Sequence, residues 1–452
     1  MDEEFRKDFE ELLALMDGGR HHEFKEKAKE CLPVDIAEGL EEIEESGRVL
    51  KLFRLLPKDI ASDVFSYMSS DQQRLIAESA TNAEIKALVD DMFMDDAVDF
   101  IEEMPANVVK KVLANTDENT RAVINQLLNY PENSAGSLMT TEYVDLRDYF
   151  TVRKALDYIR RTGIDKETIY TCFVIDDQRR LVGQVSLRRL IISPEHTTIR
   201  DIMDTNIVSA KTTDDQEVVA EDFSRYDLTS IAVCDKENRL VGLITVDDIV
   251  DVIQEENTED IKKMAAIIPS DEEYADAGVM HLVAHRLPWL MIMMISATLS
   301  STIITHFEGV LAGAVVLTAF IPMLTGSAGN SGSQTSVTII RNMSLGEVEL
   351  SAWLWVLWKE VRVAVVSGAA LAAVNMVRMM VFSDVGFMIS LTVSVTLLFA
   401  IVLAAAVGCI LPMGAKRLGL DPAVMASPMI TTIVDCCALI IYFMVAGVTL
   451  GL

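Results

Sequence analysis

No two cysteines of the 452-residue sequence stand at C-x-x-C spacing, and none of the six (Cys31, Cys172, Cys234, Cys409, Cys436 and Cys437) shows a His/Cys ligand spacing. Disulfides and structural zinc are therefore not expected. Also missing are G-x-x-x-x-G-K-[ST], H-E-x-x-H, G-x-S-x-G and a phosphorylatable D-K-T-G-like segment, which argues against an enzyme or an ATP-driven pump. Residues 1–20 are acidic and lack an apolar core, so a cleavable signal peptide is not expected and the N-terminal half is expected in the cytosol. Basic residues are scarce: 39 Lys plus Arg face 68 Asp plus Glu, for a formal charge of −29. The deficit is uneven. From Arg286 to Leu452 seven cations balance seven acids, so the whole surplus falls in residues 1–285. Such a segment repels nucleic acid and anionic headgroups and attracts cations, divalent ones most strongly.

What is present divides into three stretches. From about Cys31 to Leu128 a helix-start signal recurs as LPVDIAEGL, LPKDIASDV and MPANVVKKV, with Pro33, Pro57 and Pro105 spaced 24 and 48 apart. Breakers at Ser69-Ser70, Thr81-Asn82 and Thr116-Asp117 each precede an amphipathic run. Short stacked helices follow from this pattern, with proline at the first helical position. Asp95 and Asp99 lie one turn apart in the most acidic run, MFMDDAVDFIEEMP. Beyond YPENSAGSLMT, the segments TCFVIDDQRRLVGQVSLRRLI and SIAVCDKENRLVGLITVDDIV each read strand, turn, strand, helix, about 59 residues apart and each preceded by a helix. An acidic ribbon then follows, including Asp248, Asp251, Glu255, Glu256, Glu259 and Asp260, with no matching cation before Lys262 and Lys263. Like charges at that density need water or a bridging cation. His281 and His285, four apart, read as part of a membrane-interface helix.

Five apolar segments near 287–306, 310–340, 352–382, 387–412 and 424–450 are long enough to cross about 30 Å of hydrocarbon. Most of the basic residues would then mark the inner ends, with Glu308 and Ser383-Asp384 in outer loops and Leu452 outside. Two features break the apolar norm. PMLTGSAGNSGSQTSVTIIR, residues 322–341, sets Gly326, Asn330 and Gln334 on one helical line with Gly329, Ser333 and Ser336 beside it. Helix packing through small residues and an ion path both fit it. In SPMITTIVDCCALIIYF, Asp435 falls near the middle of a span, with Pro428, Thr431 and Thr432 on its face. An isolated carboxylate there costs several kcal/mol, so it must face protein, water or a cation.

The paired strand–turn–strand–helix units resemble a cystathionine-β-synthase (CBS) tandem over roughly 135–253, a regulatory module with clefts for adenine nucleotides. In that family a Ser or Thr followed three residues later by Asp holds ribose and phosphate. The second copy has Thr245 and Asp248; the first has Ser186 and Arg189, and Arg188 and Arg189 could hold phosphate. The whole order resembles the MgtE family of magnesium channels, most specifically through Gly329-Asn330-x-Gly332-x-Gln334, Arg341 and Asp435. The resemblance implies a multidomain homodimer: an all-α superhelical N-domain (1–130), an α/β tandem CBS domain (131–253), an acidic connecting helix (254–284) and a five-helix α transmembrane domain (285–452). It implies a plasma-membrane protein with a cytoplasmic N-terminus, whose pore recognises hydrated Mg²⁺ through Asp435, Gly329, Asn330, Ser333, Gln334 and Thr431. Regulatory Mg²⁺ would bridge Asp95, Asp99, Asp227, Asp248, Asp251, Glu256, Glu259, Asp260 and Asp421 and close the pore. ATP as a modulator would sit near Arg188, Thr245 and Asp248. A secondary transporter exchanging a divalent cation for protons or Na⁺ is the nearest alternative, and a non-transporting metal sensor another.

Overall fold

The computed structural model describes residues 3–270, 274, 277–382, 385–425 and 427–451. The expected outer-loop residues Ser383 and Asp384, and Leu452, lie outside them. The chain divides into residues 1–253 and 254–452.

In the first unit, ten short helices run from Glu3–Asp17 to Glu118–Leu127. Their starts have local causes. At Thr81 the hydroxyl accepts the Glu84 N–H at 3.3 Å while the Glu84 carboxylate accepts the Thr81 N–H at 2.6 Å, a reciprocal cap. Asp117 accepts from the N–H groups of Asn119 and Thr120; a cap of this kind is worth about 1 kcal/mol. Pro33 opens its helix as expected, whereas Pro57 and Pro105 stand one residue earlier, at the N-cap. Both have extended ψ values, 143° and 149°, so the helical turn begins at the following residue. Leu52, Phe65, Ile76, Val98, Phe100 and Ile124 are buried in a core that continues through Ala135, Val219, Phe223 and Ile249 of the next domain.

Each repeat that follows is a three-stranded sheet. Thr171–Ile175 pairs antiparallel with Leu181–Ser186, and Ser230–Cys234 with Leu240–Thr245. The leading strands Asp145–Arg147 and Ser209–Lys211 add parallel edges that the sequence reading did not anticipate; three residues carry too little alternation to register. The copies join through buried Phe173, Ile175, Leu181, Ala232, Leu240 and Leu243.

The helix Val246–Met264 leaves the last strand and carries the acidic ribbon. The single connecting helix expected over 254–284 ends there. Ala266 turns to φ 54°, the Ile267 N–H bonds back to the Lys262 carbonyl, and Pro269 follows. A new helix, Val279–His306, stacks His281 on His285 at 4.2 Å. The segment expected as one span over 310–340 is also divided. Glu308–Gly313 and the 3₁₀ turn Val315–Phe320 precede a helix over Ile321–Ser344, with Pro322 in its first turn and Ala314 breaking the helix at φ −149°, ψ 77°. Trp353–Phe382, Phe387–Arg417 and Ser427–Leu450 complete the unit. Among the described residues four helices are long and apolar enough to cross a membrane. Ile321–Ser344 falls short because its glycines and amide and hydroxyl side chains dilute the apolar run.

Candidate ion path and acidic clusters

The Phe387–Arg417 helix packs against Ile321–Ser344, Trp353–Phe382 and Ser427–Leu450, and Ile321–Ser344 also packs against Ser427–Leu450. Small residues set these distances. A Cβ on Gly408 would collide with the Gly332 carbonyl, and one on Gly332 would lie 2.9 Å from Ile430 Cγ2 and 3.2 Å from the Ala404 carbonyl. Backbone therefore meets backbone at this crossing. One turn earlier, a Cβ on Gly329 would stand 3.2 Å from Thr431 Cγ2 and 3.9 Å from Asp435 Oδ1. This brings the glycine-rich helix against the Asp435 carboxylate of the Ser427–Leu450 helix. Asp435 is half-buried and forms no hydrogen bond or ion pair among the described residues.

The hydroxyls beside it are already committed. Thr431 and Thr432 both donate to the Pro428 carbonyl, at 3.0 and 3.1 Å. Gly329, Thr431 and Asp435 thus come together within one chain. Asn330 and Gln334 are exposed, on the adjoining face of their helix, and Ser333 is half-buried. Gly326, for which close packing was expected, has nothing within 4 Å of an added Cβ. It lies on the same exposed line as Asn330 and Gln334.

Two clusters of acids occur outside the long apolar helices. In the first unit, the Met94–Glu103 helix presents Asp95, Asp96 and Asp99 toward the start of Val246–Met264. Burial, then the charges of Asp248, Asp96 and Glu167, raises the Asp95 carboxyl well above the usual range. Burial first, then Asp248, Asp247 and Asp96, pushes Glu167 up to about 7, and its buried Oε2 has no hydrogen-bond partner. Asp248 is pushed up to about 6 by burial, against the bond it accepts from the Thr245 hydroxyl at 2.6 Å. Desolvation by the surrounding protein, then the charges of Glu102 and Asp96, raises Asp99 to about 7, although the residue is exposed at the surface. No Lys or Arg pairs with these acids among the described residues. Asp251 is exposed, and Asp227, also exposed, closes the Gln216–Tyr226 helix in the left-handed region at φ 51°.

The second cluster gathers Glu256, Glu259 and Asp260 of the connecting helix around Asp421. Burial, then Asp421, raises Asp260, with Lys263 opposing. Lys263 Nζ lies 2.8 Å from Glu259 Oε1 and 2.7 Å from Asp421 Oδ2, so an ammonium bridges two of the expected regulatory carboxylates. Among the described residues no three His, Cys, Asp or Glu side chains converge as a ready metal site.

Sequence reasoning missed Glu167, Asp96, Asp247 and Lys263. Asp96 and Asp247 adjoin acids already singled out and could have been included by adjacency. Glu167 sits in an irregular loop with no periodicity to mark it. Arg188 lines a cleft of about 510 Å³ with Tyr170, Thr171, Ser186, Ile191 and Thr229. Thr245 and Asp248 do not line it: they bond to each other beside the acid seam. Ser186 uses its hydroxyl to accept the Arg189 N–H, so Arg189 contributes backbone to the local turn.

Residues 32–133 match the model of the MgtE intracellular N domain, 135–194 and 199–255 match CBS domains, and 321–445 match the MgtE divalent cation transporter. The magnesium transporter MgtE of Thermus thermophilus is 34% identical over 97% of this chain and 98% of its own. That of Bacillus subtilis is 30% identical over 96% of each. Among solved structures, the cytosolic domain of the Mg²⁺ channel MgtE in complex with ATP superposes with a TM-score of 0.51 at 34% identity, covering 53% of this chain and 98% of that one. With its N-terminal helices, paired CBS units and apolar helical region all matched along nearly its full length, the chain belongs to the MgtE family of magnesium transporters.

Proposed function

We propose that the protein conducts Mg²⁺ across the plasma membrane through a path between the Ile321–Ser344 and Ser427–Leu450 helices of two copies of the chain. The observation that carries this reading is Gly329 lying against Thr431 and Asp435, an intramembrane acid without a cation of its own. A carboxylate in that position is costly unless water or an ion offsets it. A two-fold axis beside the exposed line of Gly326, Asn330 and Gln334 would pair two Asp435 carboxylates and give these polar groups a partner. Mg²⁺ dehydrates reluctantly, so a few carboxylate and neutral oxygens reading its water shell suit it better than a closed cage. The family relatives bear the name of magnesium transporters, not of enzymes. Ile321–Ser344 would be the fifth crossing, shielded from lipid by its neighbours, with the N-terminus cytoplasmic and Leu452 outside.

Cytosolic Mg²⁺ would close this path. Bridges among Asp95, Asp99, Asp227, Asp248 and Asp251, with Glu167 added, and among Glu256, Glu259, Asp260 and Asp421, would remove like-charge contacts. Moving a two-state pore from mostly open to mostly shut takes about 5.5 kcal/mol, within reach of several bridges acting together. ATP in the cleft at Arg188 would modulate the sensor; the related cytosolic domain crystallised with ATP supports trying it first. Flux of Mg²⁺ into liposomes measures the central claim. Asp435→Asn is expected to lower it at least tenfold with the protein folded and inserted, and unchanged flux would remove Asp435 from the path.

A further inference from the structure

The Trp353–Phe382 helix has 30 residues. At 1.5 Å per residue it is about 45 Å long, against about 30 Å of hydrocarbon. Residues 363–382 suffice to cross, which leaves the leading ten, 353–362, at the level of the headgroups. One face of that leading segment is built from Trp355, Trp358, Lys359 and Arg362, at i, i+3, i+4 and i+7. All four are exposed or partly so, while Val356 and Ala364 turn inward and are buried. Lys359 Nζ stands 5.4 Å from the Trp355 ring centre, and the Arg362 guanidinium stands 5.9 Å from that of Trp358. Neither cation forms an ion pair among the described residues. Glu360, between them in sequence, points elsewhere and lies 3.5 Å from the Thr335 hydroxyl.

We propose that this face binds the headgroup of an anionic phospholipid, with the phosphate between Lys359 and Arg362 and the two indoles beside the glycerol and carbonyl region. Tryptophan favours that depth because its ring is apolar and its N–H is wet, and long cationic side chains reach the phosphates from just inside it. The guanidinium fork adds a paired donor set for a phosphate. An interfacial belt of aromatic residues alone would carry no charge preference. Two cations one turn apart with no carboxylate partner do. The inference is independent of which ion the protein carries.

The test uses the full chain in mixed vesicles of phosphatidylcholine and phosphatidylglycerol, with one lipid at a time brominated in the acyl chain near the headgroup. Three of the four tryptophans lie on this helix, so their emission reports the neighbouring lipid. Brominated phosphatidylglycerol is expected to quench in strong preference to brominated phosphatidylcholine. At the surface a basic residue is worth about a fivefold change in anionic-lipid binding, so Lys359→Gln and Arg362→Gln should each reduce the preference by about that factor, and the double variant should abolish it. Lys359→Arg with Arg362→Lys should keep it, which separates charge from folding. Equal quenching by the two lipids, or a preference intact in the double variant, overturns the proposal. So does loss of the preference on adding millimolar glycerol phosphate, since the face would then take a soluble phosphate, and so does disulfide dimerisation through Trp355→Cys, which would put a second copy there.

Discussion

At the scale of single residues, the useful contrast is between side chains that announce themselves and those that act only in the fold. Asp435 and Gly329 could be singled out from sequence because a carboxylate and a run of glycines stand out in apolar surroundings. Lys263 could not: it is one lysine at the end of an acidic ribbon, and only the structure sets its ammonium between Glu259 and Asp421. At the partial exposure of these groups each pair contributes roughly 0.5–1 kcal/mol. A tethered cation at this place would compete with a divalent ion for the same oxygens. In Lys263→Gln, cross-linking between cysteines placed on the connecting helix and beside Asp421 should fall in metal-free buffer and recover in millimolar Mg²⁺; a yield insensitive to the substitution would deny the lysine that role. Gly408 offers a packing counterpart. Because its missing Cβ is the space taken by the Gly332 carbonyl, Gly408→Val is expected to cost at least about 1–3 kcal/mol by overpacking, seen as a lower melting temperature in detergent.

Elements were legible where their period is long. The short N-domain helices follow breakers and prolines spaced along the chain, and both strand–turn–strand units fall where alternation places them. The three-residue strands at Asp145–Arg147 and Ser209–Lys211 were not legible, because they are ordered by the neighbours they pair with. The end of the connecting helix at Met264 was missed for a related reason: charge continues past it while the backbone turns at Ala266. The CBS cleft sharpens one expectation. Arg188 lines it, whereas Thr245 and Asp248 are bonded to each other elsewhere. Arg188→Ala should weaken ATP binding about tenfold by calorimetry, the equivalent of about 1.4 kcal/mol, and Thr245→Val should leave it nearly unchanged. The reverse ranking would move the nucleotide to the other copy.

For the whole molecule, the distribution of charge is what the sequence conveyed best and the pairing of acids least. Glu167 is held up to about 7 and Asp248 to about 6, from ordinary values of 4.5 and 3.8. The folded state therefore holds their protons more tightly than the unfolded chain. The resulting stabilisation is complete below about pH 4 and is lost as pH rises through about 6 to 7. Without metal, residues 1–253 should melt at a higher temperature at pH 5 than at pH 8, and millimolar Mg²⁺ should narrow that gap by stabilising the pH 8 form. Small-angle scattering of residues 1–253 should show compaction in the same Mg²⁺ range; identical profiles with and without the ion would count against metal-driven closure. The threonines next to Asp435 bear on a different property, the hydration of whatever passes. Since Thr431 and Thr432 spend their protons on the Pro428 carbonyl, neither hydroxyl keeps a proton to donate elsewhere. On the proposed path, a cation arriving in its first water shell would present hydrogens that such hydroxyl oxygens can accept, and a bare anion would find no donor in them.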